Sequence, residues 1–465
     1  MNLSEYQWPR PPGFQPFEHQ KSTAEFLISN RKAFCFNEQG TGKTASVIWA
    51  VDYLMNLGVV KRVLVVCPLS IMKSAWQADL FKFALHRTVS VAYGSAKKRK
   101  EILNAGAEFV IVNFDGVSIL KNEIIRGGFD LIVIDEASAY KNPRTVRWKD
   151  MREVCRSVKG LWMLTGTPAA QSPVDAYGLA KLINPKGVAP FFGQFRDQVM
   201  IKITDYRWVP RPEAKAIVRN VLQPAIRFEK KDCLDLPSVT FMDRDAPMTA
   251  QQRKYYKTLA KQMLIEAAGE DISAVNAAVK VSKLLQIACG SVYTDTGEVI
   301  DFDASERLNV VQEVVDECSN KVLIFVPFSH SIEMVRRHLT KNGVSCEVIN
   351  GDVNVNKRAE IVQSFQTSTN PKVLIIQPQA ASHGLTLTAA DTIIWYAPCT
   401  SVETYLQANA RIDRPGQVNP MTVVHVKGSP VEARMYALLR NNIRNHNEII
   451  DLYRQEILAA EEEIA

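Results

Sequence analysis

Twice along the chain, short runs of Val, Ile and Leu alternate with longer stretches in which apolar residues recur every three or four positions. A brief apolar run bounded by polar or turn residues reads as a strand buried on both faces, and the periodic stretch after it as an amphipathic helix. In the first half the strand runs are AFCFN (33–37), RVLVVCP (62–68), FVIVNF (109–114), LIVID (131–135) and LWMLT (161–165). In the second half they are KVLIFVP (321–327), CEVIN (346–350), KVLIIQP (372–378), TIIWYAP (392–398) and TVVHVK (422–427). Strand followed by helix, repeated, is the sequence form of a parallel sheet covered by helices, so the fold class is α/β with two parallel sheets. Over residues 170–305 strand signals are sparse, the turns VPRP and LPS appear, and AQQRKYYKTLAKQMLIEAAGE reads as helix. The expected division is a first lobe over 1–230, helical linker and insertion over 231–305, a second lobe over 306–440 and a C-terminal helix over 441–465.

Composition changes this picture little. At 465 residues the chain is long enough for two or three domains with their own cores. Lys and Arg exceed Asp and Glu by 56 to 49, an excess compatible with a polyanionic partner without naming it. No apolar run approaches the roughly 20 residues of a membrane span, and the N-terminus lacks a basic segment followed by an apolar one, so a cytoplasmic protein is expected. Eight cysteines lie scattered in apolar contexts with no Cys-x-x-Cys pair, which predicts buried, reduced thiols. The run KKRK (97–100) reads equally as a phosphate grip or as a solvated helix start.

The sharpest chemical signal is NEQGTGKT (37–44), placed between the first strand run and the helical stretch TASVIWAVDYLMN. Strand, Gly-rich loop and helix in that order make a phosphate cradle. Gly40 and Gly42 let backbone N–H groups of the loop, including those of Gln39 and Thr41, turn toward phosphate, Lys43 supplies a positive charge, and Thr44 a hydroxyl for Mg²⁺. Asn37 stands where the general pattern has Gly. Such a site needs an acidic partner at the end of a neighbouring strand, and LIVIDEAS (131–138) supplies Asp135 for Mg²⁺ and Glu136 to orient and deprotonate water. An acidic helix cap is the plainer alternative for that pair. Upstream, Gln20 in PFEHQ carries both an amide donor and an acceptor, as an adenine edge requires.

These motifs, in this order, resemble a Swi/Snf-type ATPase of helicase superfamily two. The resemblance runs through PFEHQ, NEQGTGKT, VLVVCPLSIMKSAW (63–76), VIVNFDGV (110–117), IDEAS, LTGTP (164–168), RFEKKDCLDLP (227–237), KLLQIACG (283–290), INGD (349–352), GLTLTAADTIIWYAP (384–398) and QANARIDRPGQ (407–417). It departs at Asn37, where the family usually has Asp, at Ser138, where a His is frequent, and at QAASHG (379–384), which is poorer in glycine. The resemblance implies two RecA-like lobes of the P-loop NTPase type, with ATP and Mg²⁺ between them and DNA across both. On the nucleotide side it implies Gln20, Gln39, Gly40, Thr41, Gly42, Lys43, Thr44, Gly384 and Gln407, with Thr44 and Asp135 at the metal. Lys43, Asp135, Glu136, Arg411 and Arg414 would carry catalysis, and Ser70, Lys73, Asn113, Thr165, Ser329, His330 and Gln379 would meet nucleic acid, with Thr165 and Thr167 coupling the two sides.

Positions 407, 411 and 414 share one face if the segment is helical, and Pro415 with Gly416 is expected to end that helix at Arg414. From there the two guanidinium groups would reach the γ-phosphate. The function implied is an ATP-dependent double-stranded DNA translocase that remodels or branch-migrates DNA, or displaces bound proteins. Its partners would be double-stranded or branched DNA and other repair or replication proteins. The alternative is a strand-separating DNA helicase acting on branched recombination or repair intermediates, for which 286–305 has room for a short separating hairpin. A non-catalytic, ATP-gated clamp is disfavoured because every hydrolytic residue is present.

Overall fold

The computed structural model describes residues 3–166, 168–169, 172–204, 208–267, 274–293, 298–381 and 385–440. The expected C-terminal helix over 441–465 lies outside the described residues. The chain divides into two units, Met1–Asp235 and Leu236–Ala465, each with its own sheet.

Unit one carries β1 (Lys32–Cys35), β2 (Val63–Cys67), β3 (Val89–Val91), β4 (Phe109–Asn113), β5 (Leu131–Asp135), β6 (Gly160–Leu164), a hairpin of β7 (Met200–Lys202) and β8 (Trp208–Pro210), and β9 (Ala225–Ile226). Its seven-stranded sheet has the order β3-β4-β2-β5-β6-β1-β9, and every pairing in it is parallel. Successive residues of a strand face opposite sides, and here both sides are core. Leu64, Val66, Ile132, Ile134, Leu161 and Met163 pack into one hydrophobic layer, while Val63, Val65, Leu131, Val133, Trp162 and Leu164 pack into the other. That is why these strands read as unbroken apolar runs.

Unit two carries β10 (Val239–Asp245), a hairpin of β11 (Ser291–Tyr293) and β12 (Val299–Asp301), β13 (Lys321–Phe325), β14 (Cys346–Ile349), β15 (Val373–Ile376), β16 (Ala390–Trp395) and β17 (Met421–Lys427). Six of these form a second parallel sheet in the order β10-β17-β16-β13-β15-β14. All ten strands expected from the apolar runs are present. The reading of 231–305 as helical linker and insertion needs correction because β10 joins the second sheet, while β11–β12 form a hairpin within 286–305, where the sequence leaves room for one. β10 pairs only with β17 and leaves Val239, Phe241 and Met242 substantially exposed, so its sequence, VTFMDRD, never shows a buried-strand run. A three-residue strand is likewise too short to carry a period.

All eight cysteines are free thiols, five of them buried. Among the described residues no helix is long and apolar enough to cross a membrane. The KKRK run opens an exposed helix, Ala96–Asn104, in which Arg99 bonds Asn113 and Lys100 pairs with Glu123.

Candidate functional site

The loop after β1 closes around its own lysine. Lys43 Nζ donates to the carbonyls of Asn37 at 2.9 Å and Glu38 at 3.1 Å, which draws the ammonium into the curve of the loop. Gly40 and Gly42 have φ of +85° and +79°, a region in which side chains other than glycine are strained. Gly42 caps helix α2 (Lys43–Asn56), and a Cβ there would approach within 2.1 Å of Gln20 Nε2. A central cation, a glycine turn and the amide end of a 14-residue helix form a donor set suited to a polyphosphate.

Helix α1 (Glu18–Ser29) braces this loop from behind. Gln20 is buried, with Oε1 accepting from Phe17 N–H and Nε2 donating to the Thr41 carbonyl at 3.3 Å. Both halves of its amide are therefore engaged with backbone. His19 Nε2 lies 2.8 Å from the same carbonyl, so that nitrogen carries the proton, and burial lowers the imidazole's pKa. Neither sequence pattern nor spacing marked His19.

Asn37 explains itself through its partners. Thr23 Oγ1 gives its own proton to the His19 carbonyl at 2.6 Å, so it can only accept from residue 37. Asn37 Nδ2 donates to it at 2.8 Å, while Asn37 Oδ1 accepts from Phe228 N–H at 2.9 Å. A buried position that must donate on one side and accept on the other selects an amide over an ionised carboxylate. Glu38 completes this seam by accepting from Lys230 N–H at 3.0 Å, so the RFEKKDC segment is fastened to the phosphate loop.

Two strands away from β1, with β6 between, β5 ends in Asp135. The carboxyl is lodged among protein atoms, and burial pushes its pKa up against the opposing effects of Lys43, the Trp76 indole and the Glu136 N–H. Trp76 Nε1 donates to Asp135 Oδ2 at 2.9 Å, and Glu136 N–H donates to Oδ1 at 3.0 Å. Glu136 itself has φ of +52°, and Trp8 is the other described non-glycine residue with positive φ. Such a conformation costs on the order of 1–3 kcal/mol and is commonest at functional positions. A desolvated carboxylate within the influence of Lys43 fits a hydrated divalent cation, which would reverse the penalty of burying Asp135. The Thr165 amide bonds the Cys35 carbonyl at 3.1 Å, and a Cβ on Gly166 would lie 2.8 Å from Gln39 Nε2, so the LTGTP box touches the phosphate loop directly. Thr167 lies outside the described residues.

In unit two the helix carrying Gln407 is Val402–Asn409, five residues shorter than expected. The correction has a tertiary cause: the Arg411 carbonyl is captured by Leu387 N–H at 3.0 Å, and the Trp395 indole takes Asn409 Oδ1 at 2.9 Å. These bonds pull the chain off the helical path before Pro415 and Gly416 are reached. Gly416 does adopt a turn, with φ of +100°. Gln407 and Arg411 are buried, Arg411 Nε bonding the Gln407 carbonyl at 2.7 Å and Nη1 the Leu385 carbonyl at 3.2 Å. Arg414 is half-exposed, with Nε on the Ala410 carbonyl and Nη1 on Thr386 Oγ1. The two arginines, expected to act alike, thus differ. Gln417 is structural, since its Nε2 donates to the Ala390 carbonyl at 2.8 Å and its Oε1 accepts from Val418 and Asn419. Gly384 lies outside the described residues.

The positions expected to meet nucleic acid also divide. Lys73 is exposed and Ser70 half-exposed at the π-helical turn Met72–Gln77, and Ser329 and Gln379 are exposed at the starts of helices Ser329–Lys341 and Pro378–Ala381. Asn113 and Thr165 are buried, Asn113 Oδ1 accepting from Arg99 at 2.7 Å. His330 pairs with Asp301 of β12 at 2.6 Å.

The SNF2-related domain model matches residues 19–291 and the helicase conserved C-terminal domain model residues 306–416. Chromodomain-helicase-DNA-binding protein 1-like of Danio rerio is 25% identical over 91% of this chain and 42% of its own length. ATP-dependent helicase MG018 of Mycoplasma genitalium is 25% identical over 84% of this chain and 37% of its own. The chain therefore spans less than half the length of these two relatives. It covers 98% of protein p41 of Acyrthosiphon pisum secondary endosymbiont phage 1, at 23% identity over 94% of this chain. The solved SWI2/SNF2 ATPase core of Sulfolobus solfataricus in complex with double-stranded DNA aligns over 99% of this chain and 97% of that one, with 21% identity and a TM-score of 0.47. With a family model accounting for more than half of its residues and the helicase C-terminal domain following in order, the chain belongs to the SNF2-related family of helicase superfamily two.

Proposed function

We propose that the chain is a DNA-dependent ATPase that moves along double-stranded DNA, remodelling it or displacing what is bound to it. The observation that carries this reading is the pairing of a lysine-centred phosphate loop with a strained Glu136 two strands away in the same sheet. The relatives, named as an ATP-dependent helicase and a helicase-DNA-binding protein, support it. ATP with Mg²⁺ supplies the reactive phosphoryl group when bound; Lys43, the loop amides, Thr44 and Asp135 are the residues that would hold it. Glu136, rotated out of the strand by its left-handed backbone, accepts the proton of the attacking water. Gln39, packed on Gly166, ties the phosphate loop to the LTGTP box. Arg414 is the more accessible arginine of its motif and the one whose charge is open to a ligand phosphate. Contacts to phosphates carry no sequence information and so permit stepping along any duplex.

The hairpin β11–β12 favours a second reading, strand separation, because it lies within the span anticipated for a pin. Yet Val292 and Ile300 bury one side of it against Tyr256 and Leu284, as a core element would. The test is ATP hydrolysis with single-stranded, duplex, forked and four-way DNA compared side by side, together with triplex displacement. Duplex stimulation and loss of the third strand without unwinding are expected. Unwinding of a tailed duplex without triplex displacement would move the assignment to the helicase.

A further inference from the structure

We infer that a groove in unit one, between the helix Phe192–Val199 and the hairpin β7–β8, grips the phosphate backbone of duplex DNA at a place separate from the motif positions Ser70, Lys73 and Asn113. The inference rests on the reading of the chain as a duplex-DNA motor. The groove has a volume of about 470 Å³ and among the described residues is lined by Arg196, Asp197, Met200, Lys202, Trp208 and Arg211, three cations around one carboxylate.

The hairpin register sets this chemistry. Lys202 lies directly opposite Trp208 in the antiparallel pair, so the two share a face, and Met200, two residues back, shares it as well. Arg196 comes from the helix before the hairpin and lays its guanidinium 4.0 Å from the centre of the Trp208 ring. Its Nε and Nη2 both reach Asp197 Oδ1 at 3.1 Å, which fixes the plane of the fork. Arg211 anchors itself differently: Nε donates to the carbonyls of Asp197 at 2.9 Å and Met200 at 3.2 Å, at the end of the helix. Among the described residues its two Nη groups make no hydrogen bond. A guanidinium held by its Nε, with its outer nitrogens open, is prepared for a bidentate oxyanion.

Two features select the duplex backbone as the anion. Proteins that hold single strands stack bases on aromatic faces, but here Arg196 covers the tryptophan face. Arginine can read a guanine edge only by presenting its fork freely to the base, whereas here the Arg196 fork is turned onto Asp197 and the Trp208 ring, and the described lining offers no amide for adenine and only a carboxylate that is already paired. What remains is a sequence-independent grip on phosphates. A chain of contacts runs from the groove toward the hydrolysis residues. Ser172 Oγ approaches Met200 Sδ at 3.8 Å, Asp175 accepts from Ser172 N–H and pairs with Lys141 at 3.6 Å, and Lys141 N–H bonds the Ser138 carbonyl, two residues past Glu136.

The test uses the full chain, a short blunt fluorescent duplex, and anisotropy across a potassium chloride series without nucleotide. Lys202→Gln and Arg211→Gln are each expected to weaken binding several-fold on any sequence and to make the log–log salt slope shallower by about one. DNA-free ATP hydrolysis should stay at the parental rate, and hydrogen exchange in β7–β8 should show the hairpin intact in Lys202→Gln. Unchanged affinity and slope in variants with an intact hairpin overturn the groove while leaving the motor reading in place. A parental chain that binds no duplex overturns both. Competition by poly-glutamate that depends on Lys202, with duplex binding indifferent to it, overturns the groove in favour of an acidic protein segment.

Discussion

Replacing Trp76 with Phe separates two forces that the structure superimposes at Asp135. The indole is fully buried and donates to Asp135 Oδ2 at 2.9 Å. Phenylalanine keeps a ring in the site and deletes the N–H. Lost packing should destabilise unit one by about 1–2 kcal/mol at every pH. The lost hydrogen bond should add about 1.5–3 kcal/mol, but only where Asp135 is ionised. Burial places the folded carboxyl's pKa above its unfolded value, with the Trp76 N–H opposing that rise. The folded state therefore holds the proton more tightly than the unfolded one, and stability falls as pH rises through the window between the two values. Removing the donor widens that window upward. Trp76→Phe should thus cost about 1–2 kcal/mol at the acid end of the range in which the fold persists, and about 2.5–5 kcal/mol once the pH is high enough to ionise Asp135 in the folded chain. Native-state hydrogen exchange at the β5 and β6 amides of the full chain measures this without assuming that the two units unfold together. In a cycle with Asp135→Asn the two changes should be coupled by about 1.5 kcal/mol or more in the range where Asp135 is ionised. A destabilisation independent of pH and additive in the cycle would refute this account of Asp135.

Asn37→Asp removes the donor that Thr23 requires; Lys43 nearby offsets part of the penalty, so a loss of about 1 kcal/mol at neutral pH is expected, recovering in acid as the carboxyl regains a proton, read by the same exchange measurement. Gly42→Ala would drive a Cβ into Gln20 Nε2 at a φ of +79°, and should abolish binding of a fluorescent ATP analogue while β13 to β17 keep their exchange protection. Arg411→Gln should lower the melting temperature of unit two, because its buried guanidinium clamps the Gln407 and Leu385 carbonyls, whereas Arg414→Gln should leave melting near parental and reduce hydrolysis by ~10³-fold or more. Equal melting temperatures for the two arginine variants would show that their different burial has no energetic consequence.

The sequence by itself determined the two parallel sheets, because strands buried on both faces must be apolar at every position and so announce themselves as runs. It determined the phosphate loop too, since Gly40 and Gly42 are dictated by local backbone conformation and Lys43 by its place in the loop. Asp135 and Glu136 were legible for a similar reason, as they follow an apolar run without a break. Tertiary structure decided what depends on a partner distant in sequence. Gln20 offers an amide for an adenine edge, and only the fold shows that Phe17 and Thr41 hold that amide in place. Asn37 reads as a deviation until Thr23, committed to His19, makes a donor obligatory. Trp76 has no signal as the support of Asp135, because the two are 59 residues apart. The helix after Gln407 was overestimated because periodicity and proline placement describe only what a segment permits, while Leu387 and Trp395 compete for its backbone and side chains from other elements. The edge strand β10 was missed because, with most of its residues exposed, it buries too little to impose a pattern. Local conformation and burial on both faces are written into neighbouring residues; hydrogen-bond partnership across the fold is settled only when the chain has brought its distant donors and acceptors together.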